Sequence, residues 1–286
     1  MKKLIFLFLV VILTSLNLAA NDQSQGYLVI IGGGDRPEAV MKKILELARP
    51  EPKILIIPNA SSEPVETGER LKKEFSDLGS QNIFVFIGDK EKANDEEYLS
   101  QLSDFNVVFF SGGDQNRLTK DLLSTKLLDM IKITYSKGGV ISGTSAGAAV
   151  MSQIMITGDE TKNKDTTNPF CLIESGNVVT AEGFGFLDDV IIDQHFIKRK
   201  RLNRLISLIL ENPSQLGVGI DESTAIVVYP NRIFEVIGDG QVIVFDARKS
   251  SALMKNEKGK IGRTNVSMHV LLPGQKFDLK TRKVIQ

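Results

Sequence analysis

The sequence predicts an α/β fold, a three-layer α/β/α sandwich with a mostly parallel central sheet and added strands toward the C-terminus. Short apolar runs recur without period-two alternation, as strands buried on both faces do. Segments with apolar residues at helical spacing separate them, which is the pattern of βαβ units. From about Ala225 onward that alternation stops, and strand-like segments follow one another.

Residues 27–31 form the first strand, ended by Gly32-Gly33-Gly34-Asp35. Pro37 suits the first turn of a helix in which Val40, Met41, Ile44, Leu45 and Ala48 recur at helical spacing. Residues 54–57 repeat the buried-strand pattern up to Pro58, and a helix carrying Leu71, Phe75 and Leu78 follows. Strands over 83–87 and 107–110 come next, then a helix marked by Leu118, Leu122, Leu127, Leu128 and Ile131, then a strand over 139–141. Residues 233–237, Gly238-Asp239-Gly240 and residues 242–245 read as a β-hairpin. Residues 225–286 are expected to complete or edge the main sheet. Gly158 to Asn168 is polar and irregular, a surface loop of the kind that shapes substrate pockets. With no internal repeat and no Pro/Ser-rich linker, residues 21–286 read as one domain.

Composition excludes several classes. Of the 286 residues, 35 Lys and Arg balance 35 Asp and Glu, so no global charge draws the chain to nucleic acid or anionic membrane. A hydrophobic share of 42 % with 24 % charged residues is that of a globular protein, not a disordered one. The single Cys171 permits neither an intrachain disulfide nor a cysteine-based metal cluster, and no metal or cofactor is expected. Met1-Lys2-Lys3, the apolar run Leu4 to Leu13 and small Ala19-Ala20 form a signal-peptide pattern over residues 1–20. That run is too short to span a bilayer, unless an uncleaved anchor extends through Leu16 and Leu18. The expected location is secreted or periplasmic, with no stable membrane association after cleavage.

Gly143-Thr144-Ser145-Ala146-Gly147 satisfies G-x-S-x-G between a predicted strand and a helix, the context of a nucleophile elbow. A serine needs a base, and the sequence holds two histidines. His195 ends an apolar strand, where open α/β sheets place their sites. His269 sits in an alternating segment, opposite its apolar face, and is expected to face solvent. His195 is therefore the base. Asp221 and Glu222, at another strand end, are both candidates for the acid that orients it. In the Ser111-Gly112-Gly113-Asp114 turn the amide of Gly113 can complete an oxyanion hole with that of Ala146, and Gln115 beside it is placed to bind substrate. Gly32 to Asp35 fails the dinucleotide fingerprint because Pro37 replaces its last glycine, and no Walker A motif exists. Lys198 to Arg201 with Arg204 is a dense basic run beside a stripe of Leu202, Leu205, Ile206 and Ile209. Its Arg199, Arg201 and Arg204 follow His195 closely enough to grip a substrate carboxylate.

Five motifs in order, GGGD at 32–35, SGGDQ at 111–115, GTSAG at 143–147, DQHF at 193–196 and DEST at 221–224, resemble the cyanophycinases, serine peptidases related to aspartyl dipeptidase. The resemblance runs from about Tyr27 to Val228. It implies Ser145 as nucleophile, His195 as base and Glu222 as third member. It also implies substrate contacts at Gln115, Gln194, Arg199, Arg201 and Arg204, the arginines at the spacing that separates cyanophycinases from the dipeptidases. The implied substrate is cyanophycin, a poly-aspartate with arginine on each side-chain carboxyl, released as β-Asp-Arg, with the arginine cluster holding backbone carboxylates. A homodimer is implied as well. The alternatives are an isoaspartyl or aspartyl dipeptidase with the same triad, a GxSxG esterase dependent on His269, and a binding protein that does not need Ser145.

Overall fold

A computed structural model describes residues 26–49, 51–102, 104–162 and 169–285, so the signal-peptide segment 1–20 lies outside the described residues. In chain order the strands begin with β1 (Tyr27–Ile31), β2 (Lys53–Ile57), β3 (Asn82–Val85), β4 (Val107–Phe110), β5 (Val140–Thr144) and β6 (Ile154–Glu160). They continue with β7 (Val178–Glu182), β8 (Val190–Gln194), β9 (Leu216–Ile220), β10 (Thr224–Val228), β11 (Ile233–Gly238) and β12 (Val242–Asp246). The last are β13 (Met254–Lys255), β14 (Ile261–Gly262), β15 (Ser267–Leu271), β16 (Lys276–Asp278) and β17 (Lys283–Ile285). The helices are α1 (Glu38–Leu47), α2 (Pro64–Asp77), α3 (Glu96–Ser100), α4 (Gln115–Leu122), α5 (Lys126–Ser136), α6 (Ala146–Ala149) and α7 (Leu202–Glu211).

The main sheet has nine strands in the order β17-β16-β11-β10-β1-β5-β4-β2-β3. Strands β1, β5, β4, β2 and β3 run parallel at its centre and one side. The C-terminal strands β10, β11, β16 and β17 edge it in antiparallel fashion; of the residues from 225 onward expected there, β12 to β15 lie in other sheets. On one face Val40, Met41 and Ile44 of α1 and Leu71 and Phe75 of α2 pack on Val29, Ile54, Val107 and Val227. The opposite face is covered by α4, α5 and α6 through Leu118, Leu122, Leu128, Ile131 and Ala148. Local chemistry starts these helices: Pro64 opens α2, the Asp114 carboxylate accepts from Asn116 N at 2.8 Å at the head of α4, and Thr125 caps α5.

A second, four-stranded sheet in the order β15-β12-β9-β8 is not foreseen in the sequence. Its inner face joins the core on the main sheet through Ile192, Val218, Ile220 and Val244. Its outer face packs Ile191, Ile243 and Phe245 against Leu205 and Ile209 of α7. This sheet corrects the expected hairpin. β11 pairs with β10 and β16 in the main sheet, whereas β12 pairs with β9 and β15 in the second. Their burial differs accordingly: β11 alternates, and β12 is buried throughout. The turn between them is tied to β10 instead, by Asp239 N to Ser223 O at 2.9 Å and Gly240 N to Thr224 Oγ1 at 2.8 Å.

The basic run is corrected too. α7 starts at Leu202, and residues 197–201 form turns closed by Arg199 N to His195 O and Arg201 N to Phe196 O, both 2.9 Å. Leu205, Ile206 and Ile209 of the expected stripe are buried, but Leu202 is exposed and Arg204 is buried in its place. The cause is enclosure on several sides, since α7 lies against β9 and β12 and also touches β7 and β14. The polar loop begins later than expected because β6 runs on to Glu160, and residues 163–168 lie outside the described residues.

Candidate active site

The site forms where the carboxyl ends of strands from both sheets meet, the usual place for an α/β site. β5 delivers Ser145, β4 the Ser111 to Asp114 turn, β8 His195, β9 Asp221 and Glu222, and β1 the Gly32 to Gly34 turn. Backbone bonds stitch these ends together: His195 N to Gly32 O at 2.7 Å, Ser223 N to Gly33 O at 2.9 Å and Ser145 N to Ile31 O at 3.0 Å. The glycine turn is thereby explained. A Cβ on Gly33, at φ +104°, would stand 2.4 Å from the His195 ring, and one on Gly34 2.8 Å from Glu222 Cβ. These glycines let the β1 end lie flat against the histidine and the glutamate.

Ser145 takes φ 52° and ψ −105°, a strained conformation for a non-glycine residue, at the sharp turn between β5 and α6. Its Oγ lies 2.9 Å from His195 Nε2, and His195 Nδ1 lies 2.6 Å from Glu222 Oε1. A carboxylate only accepts, so Nδ1 carries the proton and Nε2 is free to accept from the serine hydroxyl. The hydrogen bond from His195 holds the Glu222 carboxyl below its ordinary value, so it is ionised at neutral pH. Burial pushes the His195 pKa below its ordinary value; the Glu222 hydrogen bond opposes this, and the nearby Arg199 and Arg201 charges reinforce it. The imidazole is therefore neutral at pH 7, the state a general base needs.

Of the two acids left open by spacing, the geometry selects Glu222. Asp221 instead accepts from Ile197 N at 3.0 Å and Lys198 N at 2.9 Å, fixing the turn after His195. His269 is far from playing base. Its ring packs on Phe277 with centroids 5.6 Å apart, while Ser267, Met268 and Val270 are the exposed residues of β15. The expectation that it faces solvent is corrected by that contact.

The amides of Gly112, Gly113 and Ala146 donate to no protein group among the described residues. Of the two glycines Gly112 lies nearer the nucleophile, since a Cβ built on it would be 3.4 Å from Ser145 Cβ. A cavity of about 230 Å³ opens beside Ser145 and His195, with Gly112, Ser111 and Thr144 in its wall. Two further wall residues, Arg36 and Arg70, carry no motif in the sequence. The signal for Arg70 is its helical spacing with Thr67 and Leu71 on α2.

The five expected substrate residues have different surroundings. Gln115 spends its amide on Ile156 O at 2.8 Å and Thr157 O at 2.7 Å, anchoring β6 to α4. Gln194 is buried and accepts from Arg201, whose Nη1 also donates to Gln194 O at 2.8 Å. Burial and the neighbouring Arg204 charge lower the Arg201 pKa to about 10, which leaves it protonated. Arg204 is only 2 % exposed; its Nε donates to Asp193 Oδ2 at 2.7 Å, its Nη2 to Asp193 Oδ1, and its guanidinium lies 5.1 Å from the Phe170 ring. The expected reach of Arg204 toward substrate is corrected, because Asp193 occupies its guanidinium. Arg199 is the open member, with its side chain 54 % exposed and Nε 3.9 Å from Glu222 Oε1. Among the described residues, no group of three or more His, Cys, Asp or Glu is placed to hold a metal ion, and no helix is long and apolar enough to cross a membrane.

An elbow serine, a neutral histidine and an ionised glutamate in line, beside free amides, have the makings of acyl transfer. Fold and site together define a hydrolase of the serine-peptidase class. Residues 28–236 match Peptidase family S51, and the chain belongs to that family. A cyanophycinase of Geminocystis herdmanii is 35 % identical over 241 residues, covering 80 % of this chain and 84 % of that protein. Cyanophycinases of Synechococcus elongatus and Trichormus variabilis are 36 % and 33 % identical, covering 80 % and 81 % of this chain and 70 % and 77 % of theirs. The crystal structure of a peptidase from an acI-B1 actinobacterium shares the fold, with a TM-score of 0.65 at 24 % identity over 90 % of this chain and 98 % of that one.

Proposed function

We propose that the protein hydrolyses cyanophycin to β-Asp-Arg dipeptides through Ser145, His195 and Glu222. The observation that carries this reading is the Glu222–His195–Ser145 line, 2.6 and 2.9 Å, in a chain 33–36 % identical to cyanophycinases. Ser145 Oγ attacks a backbone carbonyl carbon as its proton passes to His195 Nε2. The oxyanion is received by the amides of Ala146 and of Gly112 or Gly113. The imidazolium, stabilised by Glu222, then protonates the leaving amine as the C–N bond breaks. Water, deprotonated by His195, releases the acyl group and restores the serine.

The polymer's chemistry limits what the arginines grip. Its aspartate carboxyls are all in amide bonds except at the chain end, so backbone carboxylates are not available; the free carboxylates belong to the attached arginines. Arg199, the exposed one, is suited to take such a carboxylate. Arg201 and Arg204 act behind the surface, holding Gln194 and Asp193 and through them the strand end that carries His195. The test is incubation of the mature protein with insoluble cyanophycin and identification of soluble products by mass. Release of β-Asp-Arg is expected. Cleavage of short β-aspartyl peptides with the polymer untouched would favour the dipeptidase reading.

Export rests on the residue pattern 1–20 and is read by N-terminal sequencing of the secreted or periplasmic fraction. The homodimer is read by light scattering.

A further inference from the structure

The cavity beside Ser145 carries a positive charge that nothing among the described residues answers. Two arginines and several hydroxyls line it, and no acidic residue does. Arg36 is neutralised, since its Nε and Nη2 hold Glu74 Oε1 and Oε2 at 3.0 and 2.5 Å. Glu74 lies one helical turn beyond Arg70 and would be its natural partner on α2. With both Glu74 oxygens turned to Arg36, Arg70 has no ion-pair or hydrogen-bond partner among the described residues. A cavity of 230 Å³ is smaller than the ~300–1,000 Å³ of pockets for drug-sized ligands, so it suits one terminal unit of a substrate and not a length of polymer.

Resting on the peptidase reading above, we infer that this cavity is a carboxylate subsite in which Arg70 binds the free carboxylate of the substrate unit seated beside Ser145. The guanidinium fork matches a carboxylate by paired hydrogen bonds. Two carboxylates of a cyanophycin-like end unit have this chemistry, that of the attached arginine and that of the chain end. Arg70 makes no hydrogen bond or ion pair with Ser145, His195 or Glu222, so it governs capture of substrate and not the rate of bond making.

Serine-directed phosphonates that differ only in bearing a carboxylate or its primary amide are the probe. The wild type is expected to react with the carboxylate form about tenfold faster, as a charge-assisted pair implies. The advantage should shrink in high salt because Arg70 is exposed. Arg70→Gln should remove the preference by slowing the carboxylate form toward the rate of the amide form, and Arg70→Lys should keep part of it. Moving the carboxylate between the arginine and chain-end positions of the probe identifies the ligand as the one whose advantage Arg70→Gln removes. An equal preference in Arg70→Gln and wild type overturns the inference. Cyanophycin hydrolysis by the wild type is read separately. Failure there with the probe preference intact removes the polymer reading and leaves the subsite, whereas hydrolysis with no probe preference does the reverse.

Discussion

Arg204→Ala is expected to damage stability far more than substrate capture. The wild-type guanidinium is buried and gives two charge-assisted hydrogen bonds to Asp193, whose side chain is fully enclosed. Removing one partner of such a pair leaves an uncompensated buried charge, a loss of about 3–5 kcal/mol. Two groups soften it: Gln194 N still donates to Asp193 Oδ1 at 2.7 Å, and Arg201 Nη1 lies 4.0 Å from the same oxygen. The lower end, about 3 kcal/mol, is therefore expected, or a drop in Tm of about 6–12 °C for a chain of this size. Calorimetric melting measures it. Kinetics at 20 °C should show kcat falling with KM little changed, because Asp193 and Gln194 position His195. The double change Arg204→Met with Asp193→Asn should recover much of the lost stability, since it leaves no buried charge. A Tm within 1 °C of wild type together with a hundredfold rise in KM would refute this reasoning and make Arg204 a substrate contact.

Other outcomes follow from the same geometry. His195→Ala should abolish kcat, His269→Ala should leave it unchanged, and Ser145→Ala combined with His195→Ala should be little worse than either alone, as steady-state assays will report. The acid limb of kcat/KM should fall below the ordinary histidine pKa, because burial lowers that of His195 and the base is lost only once it protonates. Arg199→Ala removes a like charge beside the ring, so the limb should move to higher pH in a pH–rate profile; a shift to lower pH would contradict the assignment. Gly33→Ala places a methyl 2.4 Å from the imidazole in a backbone conformation disfavoured for alanine, and should lower kcat at least tenfold, by about 1.4 kcal/mol or more of barrier, in a protein that still folds.

The parallel strands, the sharp turn at Ser145 and the meeting of His195 with it were legible because they rest on local pattern or on scarcity. Fully apolar runs such as residues 107–110 can only be buried strands or helix segments, and two histidines leave little room for error. What was illegible depends on distant pairing. Val242 to Asp246 reads the same whether it closes a hairpin on β11 or crosses to β9, and only its neighbours decide. Arg204 looks like a solvated basic residue until Asp193, eleven positions earlier, is seen folded against it. Asp221 and Glu222 are adjacent, and the turn after His195 decides which of them faces the ring. Arg36 and Arg70 reach the site from the turn before α1 and from α2 in turn, so no spacing rule around Ser145 finds them.

The central claim is that Ser145, activated by His195 and Glu222, performs the hydrolysis. It is tested most directly by quantifying β-Asp-Arg released from insoluble cyanophycin by equal amounts of wild type and Ser145→Ala, both verified as folded by their melting curves. Steady release by the wild type is expected, with a fall of about four orders of magnitude or more in the variant. Release by Ser145→Ala above about one per cent of the wild-type rate, far more than loss of a triad nucleophile allows, would contradict it.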